Sequence, residues 1–326
     1  MTILITGSSG HLGEALARTL TAQGRAFAGA DIKPGPFTNH TGDLADADFV
    51  ARAMKGIDAV LHTATLHKPH VVTHSMQQFV DTNITGTLNL AEAAAREGVS
   101  AFIFTSTTST FGDAMKPPPG APAVRVTETL NPIPKNIYGV TKLAAENLCH
   151  LVHKKHKLPC LILRTSRFFP EDDDNAQIRS GFDDLNVKVN ELLYRRGDIA
   201  DMVSAHLAAI DRARDIGFGR YIISATSPFS EADLAGLGRD APSVLRRYVD
   251  FEDEYARRGW RMFDTLDRVY VNDLAREELG WRPQVDFASA LARLKADQSP
   301  FSDLKEQIGR KGYHEEVFDD GPFPVD

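Results

Sequence analysis

Cysteine is scarce: Cys149 and Cys160 are the only two in 326 residues. Two thiols are too few for a disulfide framework, and their spacing matches no metal-ligand pattern. Both fall in stretches that read as buried helix or strand, so they are expected to be small core residues in a reducing compartment, the cytoplasm. Long apolar runs are missing as well, and no segment reaches the roughly 20 residues that a membrane-spanning helix needs. The opening "MTILITGSSG" has no basic leader and no cleavage-site pattern; it reads as a strand of the fold rather than a signal peptide. Positive charge is in deficit, with 37 basic residues against 44 acidic ones and a formal net charge of -7. That balance speaks against a general nucleic-acid or anionic-membrane surface. His67, His70 and His74 are loosely grouped but lack ligand spacing, so no metal is expected.

What is present is an ordinary globular composition, 42% hydrophobic and 25% charged, long enough for one large domain or one large and one small. Short apolar runs alternate with helical patterns. "TILIT" (Thr2–Thr6), "AFAGAD", "DAVLHTA" (Asp58–Ala64), "AFIFTST" (Ala101–Thr107) and "PCLILRT" (Pro159–Thr165) read as strands. "GEALARTLTAQG", "DADFVARAMKG" with Asp46 as cap, "QFVDTNITGTLNLAEAAAREG" and "KNIYGVTKLAAENLCHLVHKKH" read as helices. The alternation predicts an α/β fold of the Rossmann type, a doubly wound parallel sheet with helices on both faces. We assign it to residues 1–165. A smaller, mixed, substrate-binding region follows over 166–326, with room for some of its strands and helices to return to the first unit. It holds one strand pattern, "RYIIS", and a capped helix, "NDLAREELGWRP". The proline-rich stretch Met115–Pro134 is either a passive connector or a wall over a site. The final "YHEEVFDDGPFPVD" reads as an acidic surface tail or arm.

Glycines at Gly7, Gly10 and Gly13 lie directly after the first strand and open the first helix. Such a loop lets a backbone approach a pyrophosphate closely, and the helix N-terminus offers it free N–H groups and a positive dipole end. No G-K-[ST] follows, which excludes a nucleotide-triphosphatase loop. Asp31 ends the second strand, where a carboxylate accepts from both adenosine ribose hydroxyls and repels a 2′-phosphate. NAD is therefore expected over NADP, although Lys33 stands nearby. Asp43 either meets the adenine edge or caps a turn. Ser9, His11 and Leu12 in the loop, Leu44, and Thr63 and Ala64 complete the candidate cofactor-binding set; His62 belongs to the cofactor-side wall.

Tyr138 and Lys142 are one helical turn apart and share a face. By themselves they fit a surface pair as well as a reacting pair. The glycine loop, the segment N-x-x-G-T-x-N-L-x-E-A (Asn83–Ala93), Y-x-x-x-K and a late L-G-W-x-P (Leu279–Pro283) occur in one order. In this the chain resembles, over most of its length, the extended short-chain dehydrogenase/reductase family, in its NAD-dependent epimerase/dehydratase branch. The resemblance implies that Tyr138 is the general acid/base and that Lys142 binds the nicotinamide ribose and lowers the tyrosine pKa. A unit charge about 5 Å away at an effective dielectric of about 20 is worth about 3 kcal/mol, or roughly two pKa units. It also implies a hydroxyl that holds the reacting oxygen, Thr107 with Ser106 as the fallback, and a supporting Asn83.

Family 4,6-dehydratases carry Asp-Glu after the catalytic threonine. Thr108 and Ser109 stand here, which disfavours dehydration and leaves epimerisation or plain dehydrogenation. "LRTSRFFP" departs from the family pattern at Arg167, and Asp201 matches a family aspartate. Arg167 and Arg196 are candidate anion-binding residues, with solvated surface arginines as the alternative. The segment between them is short for a nucleotide-sugar enzyme. The expected function is NAD-dependent redox or epimerisation at a hydroxyl or keto carbon of a sugar-like substrate. The alternatives are a UDP-sugar 4-epimerase and, in another class, a non-catalytic NAD-sensing protein. A homodimer through the "NITGTLNL" and "YGVTK" helices is implied by the resemblance.

Overall fold

A computed structural model describes residues 1–312 and Phe318. The acidic tail reading falls on residues 313–326 and so, apart from Phe318, lies outside the described residues.

Seven strands form one parallel sheet: β1 (Ile3–Thr6), β2 (Phe27–Asp31), β3 (His40–Thr41), β4 (Ala59–His62), β5 (Ala101–Thr107), β7 (Cys160–Thr165) and β8 (Phe218–Ile223). Their order is β3-β2-β1-β4-β5-β7-β8. The central strands are mainly apolar because both faces are covered, and alternate residues feed different cores. Ile3, Ile5, Leu61, Ile103, Leu161 and Leu163 join Leu12, Leu16 and Leu20 of the helix His11–Ala22 on one side. Leu4, Val60, Phe102, Phe104, Cys160 and Ile162 pack with Phe49, Leu90, Ala145 and Cys149 on the other. Both cysteines are free and buried in that second core. Asp46 caps the helix Ala47–Ala53 by accepting from the N–H groups of Asp48 and Phe49.

The strand order reverses between β1 and β4, and the carboxyl ends of those strands face one crevice, where doubly wound sheets bind ligands. The glycine loop follows β1, Thr63 and Ala64 follow β4, Thr107 ends β5, and the helix Ile137–His156 starts beside it.

Some elements beyond residue 165 return to the first unit. After the 166–198 segment the chain returns with the helix Ile199–Ile216 and then β8, which pairs in parallel with β7. Ala275, Leu279, Trp281 and Ile308 also pack in the first core. A separate apolar core, including Leu192, Leu245, Tyr255, Leu266, Phe287 and Leu291, builds the smaller region. The proline-rich stretch is no simple connector. Its residues Val124–Val126 form β6, paired in parallel with β9 (Arg268–Tyr270).

Candidate active site

The glycine loop is close-packed at two of its three glycines. Gly7 has φ +73°, and a Cβ there would lie 2.7 Å from the Ala64 nitrogen. A Cβ on Gly13 would lie 1.9 Å from the Gly7 carbonyl oxygen, so the helix seats directly on the turn. Gly10 precedes the first helical residue with no side-chain cap of its own, leaving the first N–H groups of the helix facing the crevice. Asp31 is bound into the same unit: its carboxylate accepts from the Ser9 N–H at 2.9 Å and from the Lys33 N–H at 2.9 Å. Thr63 donates to the Thr6 carbonyl at 2.7 Å, and the Ala64 N–H to the Thr6 hydroxyl at 3.3 Å. This cradle, too tight for side chains at Gly7 and Gly13, suits a dinucleotide backbone.

The other members of the candidate cofactor set make the following contacts within the chain. Leu12 lies in the core with Leu16. His11 places Nε2 2.8 Å from Glu171 Oε1 and turns its ring edge to Phe169. Asp43 is exposed and accepts from the Ala45 N–H at 2.9 Å, the turn-capping alternative. Leu44 is buried, with its carbonyl accepting from Asn89 at 3.0 Å. His62 lies beneath the crevice, between the hydroxyls of Thr6 (2.7 Å) and Thr87 (2.9 Å). Burial, and then the charge of Lys142, push its pKa down to about 3, so it is a neutral clamp.

Asn136 caps the next helix, accepting from the Gly139 N–H at 3.1 Å, and thereby fixes Tyr138 in the first turn. Tyr138 and Lys142 are both buried, at 8% and 2% exposure; the surface-pair alternative is gone. Tyr138 and Thr107 line the same cavity wall, and the Thr107 hydroxyl accepts from the Ser109 N–H at 3.0 Å. Lys142 Nζ donates to the Thr105 carbonyl at 2.7 Å and stands 4.0 Å over the Phe104 ring. Ser106 faces the other way and donates to Glu146 at 2.6 Å. Glu146, fully buried, also receives Arg164 through Nε at 2.9 Å and Nη2 at 2.7 Å.

The expected lowering of the tyrosine pKa by Lys142 is not what the chain's own residues produce. Burial pushes Tyr138 up to about 12, with Thr107 as the opposing pull. Burial also pushes Lys142 down to about 7, against Cys149 and Glu146. A side chain that must be desolvated to reach the site weakens its own charge, and the sequence estimate omitted that cost.

Asn83 sits inside a π-helical stretch, Val80–Thr85. It accepts from the Thr65 hydroxyl and the Leu66 N–H, both at 2.9 Å, and donates to the Leu66 carbonyl at 2.9 Å and the Thr141 hydroxyl at 3.0 Å. One amide thus ties the post-β4 loop to the Tyr138 helix. Asp201 is likewise a tie, accepting from the Gln284 and Val285 N–H groups at 2.7 and 2.9 Å just after L-G-W-x-P.

A cavity of about 430 Å³ opens at this end of the sheet, lined among others by Thr107, Ser109, Tyr138, Ser166, Phe169 and Tyr270. Met115 and Lys116 of the proline-rich stretch form part of its wall, as do Arg167 and Arg196. Neither arginine is a solvated surface residue. Arg167 pairs with Asp173, Asp174 and Glu191. Arg196 donates to Glu191 at 2.6 Å and to the Phe169 carbonyl at 3.0 Å. Glu191 and Glu146 were missed by sequence reasoning. Glu146 was signalled by its place one turn beyond Lys142; Glu191 lies in a helix with no motif. Among the described residues no group of three or more His, Cys, Asp or Glu is arranged to hold a metal, and no helix is long and apolar enough to cross a membrane.

The family model for the NAD dependent epimerase/dehydratase family matches residues 3–223. A dTDP-glucose 4,6-dehydratase of Streptomyces antibioticus is 28% identical, over 90% of this chain and 91% of its own length. A 3-beta-hydroxysteroid dehydrogenase of Mycolicibacterium neoaurum is 30% identical, over 89% of each chain. The crystal structure of a UDP-glucuronic acid 4-epimerase from Bacillus cereus, in complex with UDP-glucuronic acid and NAD, shares the fold with a TM-score of 0.63 and 21% identity, covering 95% of this chain and 100% of its own. With its glycine cradle, its Asp31 and its match over two-thirds of its length, the chain belongs to the NAD-dependent epimerase/dehydratase family of extended short-chain dehydrogenases/reductases.

Proposed function

We propose that the protein is an NAD-dependent oxidoreductase or redox epimerase acting on a secondary hydroxyl, or its keto form, in a sugar-like substrate. The observation that carries this reading is that Tyr138 and Thr107 line one cavity wall, with Lys142 buried one turn further along. Two hydroxyls on one wall can both address a single substrate oxygen. Thr107 holds that oxygen by a hydrogen bond, and Tyr138 accepts its proton on oxidation and returns it on reduction. Lys142, fixed by the Thr105 carbonyl, presents its ammonium where the nicotinamide ribose of the family's cofactor binds. Bound NAD supplies the hydride acceptor and donor. Asn83 and Asn136 hold the helix that carries the pair.

Dehydration remains disfavoured in this reading, although a dTDP-glucose 4,6-dehydratase is among the relatives. Removing a proton beside a keto carbon and expelling a hydroxyl needs an acid pair. The residues after Thr107 are Thr108, whose hydroxyl reaches the Thr165 carbonyl at 3.5 Å, and Ser109, both in a short 3-10 turn. Neither ionises near neutral pH. We further propose a cytoplasmic homodimer, paired through the adjacent helices Gly86–Glu97 and Ile137–His156. Val140 and Leu151 of the second helix are exposed at 48% and 58%.

The test is a screen of free sugars, sugar acids, polyols and nucleotide sugars with the NAD-loaded protein. It is followed at the NADH absorbance and by product analysis, because an epimerase gives no net absorbance change. Turnover of a hydroxylated substrate that is lost in Tyr138→Phe supports the reading. Turnover that survives in Tyr138→Phe overturns it. A protein that binds NAD and turns over nothing fits the NAD-sensing alternative.

A further inference from the structure

The arginines of the cavity are matched one for one by the chain's own carboxylates. Four arginines line it: Arg167, Arg195, Arg196 and Arg268. Arg167 is held by Asp173, Asp174 and Glu191. Arg195 reaches Glu191 at 2.6 Å and Asp173 at 3.3 Å. Arg196 reaches Glu191 at 2.6 Å. Arg268 makes a two-point contact with its neighbour Asp267, Nε to Oδ1 at 2.8 Å and Nη2 to Oδ2 at 2.6 Å. Four guanidinium groups thus stand against Asp173, Asp174, Glu191 and Asp267. The rim lysines Lys68 and Lys116 have acidic neighbours too, Asp174 and Asp113, and the remaining lining lysine, Lys135, is exposed.

A diphosphate is recognised by cations whose hydrogen-bonding forks are open to it. Here each guanidinium already faces at least one carboxylate, although the buried Arg195 Nε has no hydrogen-bond partner. Glu191 is fully buried and Asp173 is 5% exposed, so a phosphate could enter only by lying beside these carboxylates or by separating buried pairs, both unfavourable. The groups the cavity does present at its reacting end are hydroxyls: Thr107, Ser109 and Tyr138.

We infer that the substrate is a free, unphosphorylated polyhydroxy compound, and that the acidic residues 173, 174, 191 and 267 exclude the nucleotide-diphosphate portion that a nucleotide sugar would bring. The inference rests on the proposed reading of this cavity as the substrate site.

UDP is the probe, titrated calorimetrically into the protein saturated with NAD⁺. Wild type is expected to show no binding into the millimolar range. Asp267→Asn, at a half-exposed position, opens the Arg268 fork, and Asp173→Asn/Asp174→Asn opens those of Arg167 and Arg195. Each is expected to raise UDP affinity at least tenfold. Micromolar binding of UDP by wild type overturns the inference. So does the absence of any gain in Asp267→Asn when that variant still binds NAD⁺ like wild type; this variant serves if the double variant does not fold. The heat of UDP binding involves no turnover, so this outcome is separate from the Tyr138→Phe result that tests the redox reading.

Discussion

The Ser106 hydroxyl donates to the buried Glu146 carboxylate at 2.6 Å, while the next residue, Thr107, lines the cavity together with Tyr138. Adjacent residues at the end of β5 face opposite sides of the sheet, and so do their roles. Thr107→Val is expected to lower kcat by about 100-fold or more, as a loss of about 3 kcal/mol of transition-state hydrogen bonding would, with little change in melting temperature. Ser106→Ala should do the reverse. It should cost about 1–3 kcal/mol of stability, the usual cost of a lost hydrogen bond to a buried charge, and leave kcat within a few-fold. Steady-state kinetics and chemical denaturation of the two variants check this.

Asn83 makes four hydrogen bonds, two to the Leu66 backbone and one each to Thr65 and Thr141. Asn83→Ala removes all four bonds and leaves the half-buried Leu66 N–H without its Asn83 acceptor, and is expected to destabilise the protein by about 1–3 kcal/mol. Because the Tyr138 helix loses its tie to the post-β4 loop, kcat should also fall. Denaturant titration and kinetics on the same preparation measure both.

The glycine loop makes a graded prediction. A Cβ at Gly13 would sit 1.9 Å from the Gly7 carbonyl oxygen, whereas one at Gly10 would sit 3.2 Å from it. Gly13→Ala should abolish NAD⁺ binding or prevent folding. Gly10→Ala should fold, with a weakened NAD⁺ affinity. Calorimetric titration of NAD⁺ into each variant separates the two.

Lys142 gives stability a pH dependence of predictable sign. Burial lowers its pKa from the ordinary 10.5 to about 7 in the folded chain. Between about pH 7 and 10.5 the unfolded chain therefore binds the extra proton, so stability rises with pH across that window. The slope from this group is at most about 1.4 kcal/mol per pH unit. Below about pH 7 both states are protonated and the slope vanishes. Lys142→Met removes the effect, so the difference in unfolding free energy between wild type and variant should change with pH only inside that window. Denaturation of the two cofactor-free proteins from pH 6 to 10 reads it directly.

The strands, the glycine loop and the order of the Thr107, Tyr138 and Lys142 segments were legible because they obey local rules: short continuous apolar runs, a strand–turn–helix junction and a one-turn spacing. What was not legible depends on distant parts of the chain. The partners of Arg167 and Arg196 come from the 170s and from Glu191, in a stretch with no motif, so two candidate anion ligands turned out to be internally paired. A return of later strands to the sheet was expected, but that β8 pairs with β7 could not be read, because its apolar run looks like any short strand. That the Leu12 side chain joins the core could not be read from its place in the glycine loop. Charge proximity can be read from spacing, whereas the desolvation that raises the Tyr138 pKa is a property of the packed site.

The central claim is that the Tyr138 phenol carries the substrate proton beside a bound nicotinamide. The most direct measurement is kcat of Tyr138→Phe on the substrate that the screen identifies, with NAD⁺ affinity measured in parallel. The account predicts a fall of about 100-fold or more in kcat at an NAD⁺ dissociation constant within a few-fold of wild type. A variant that binds NAD⁺ normally and turns over at the wild-type rate would contradict it.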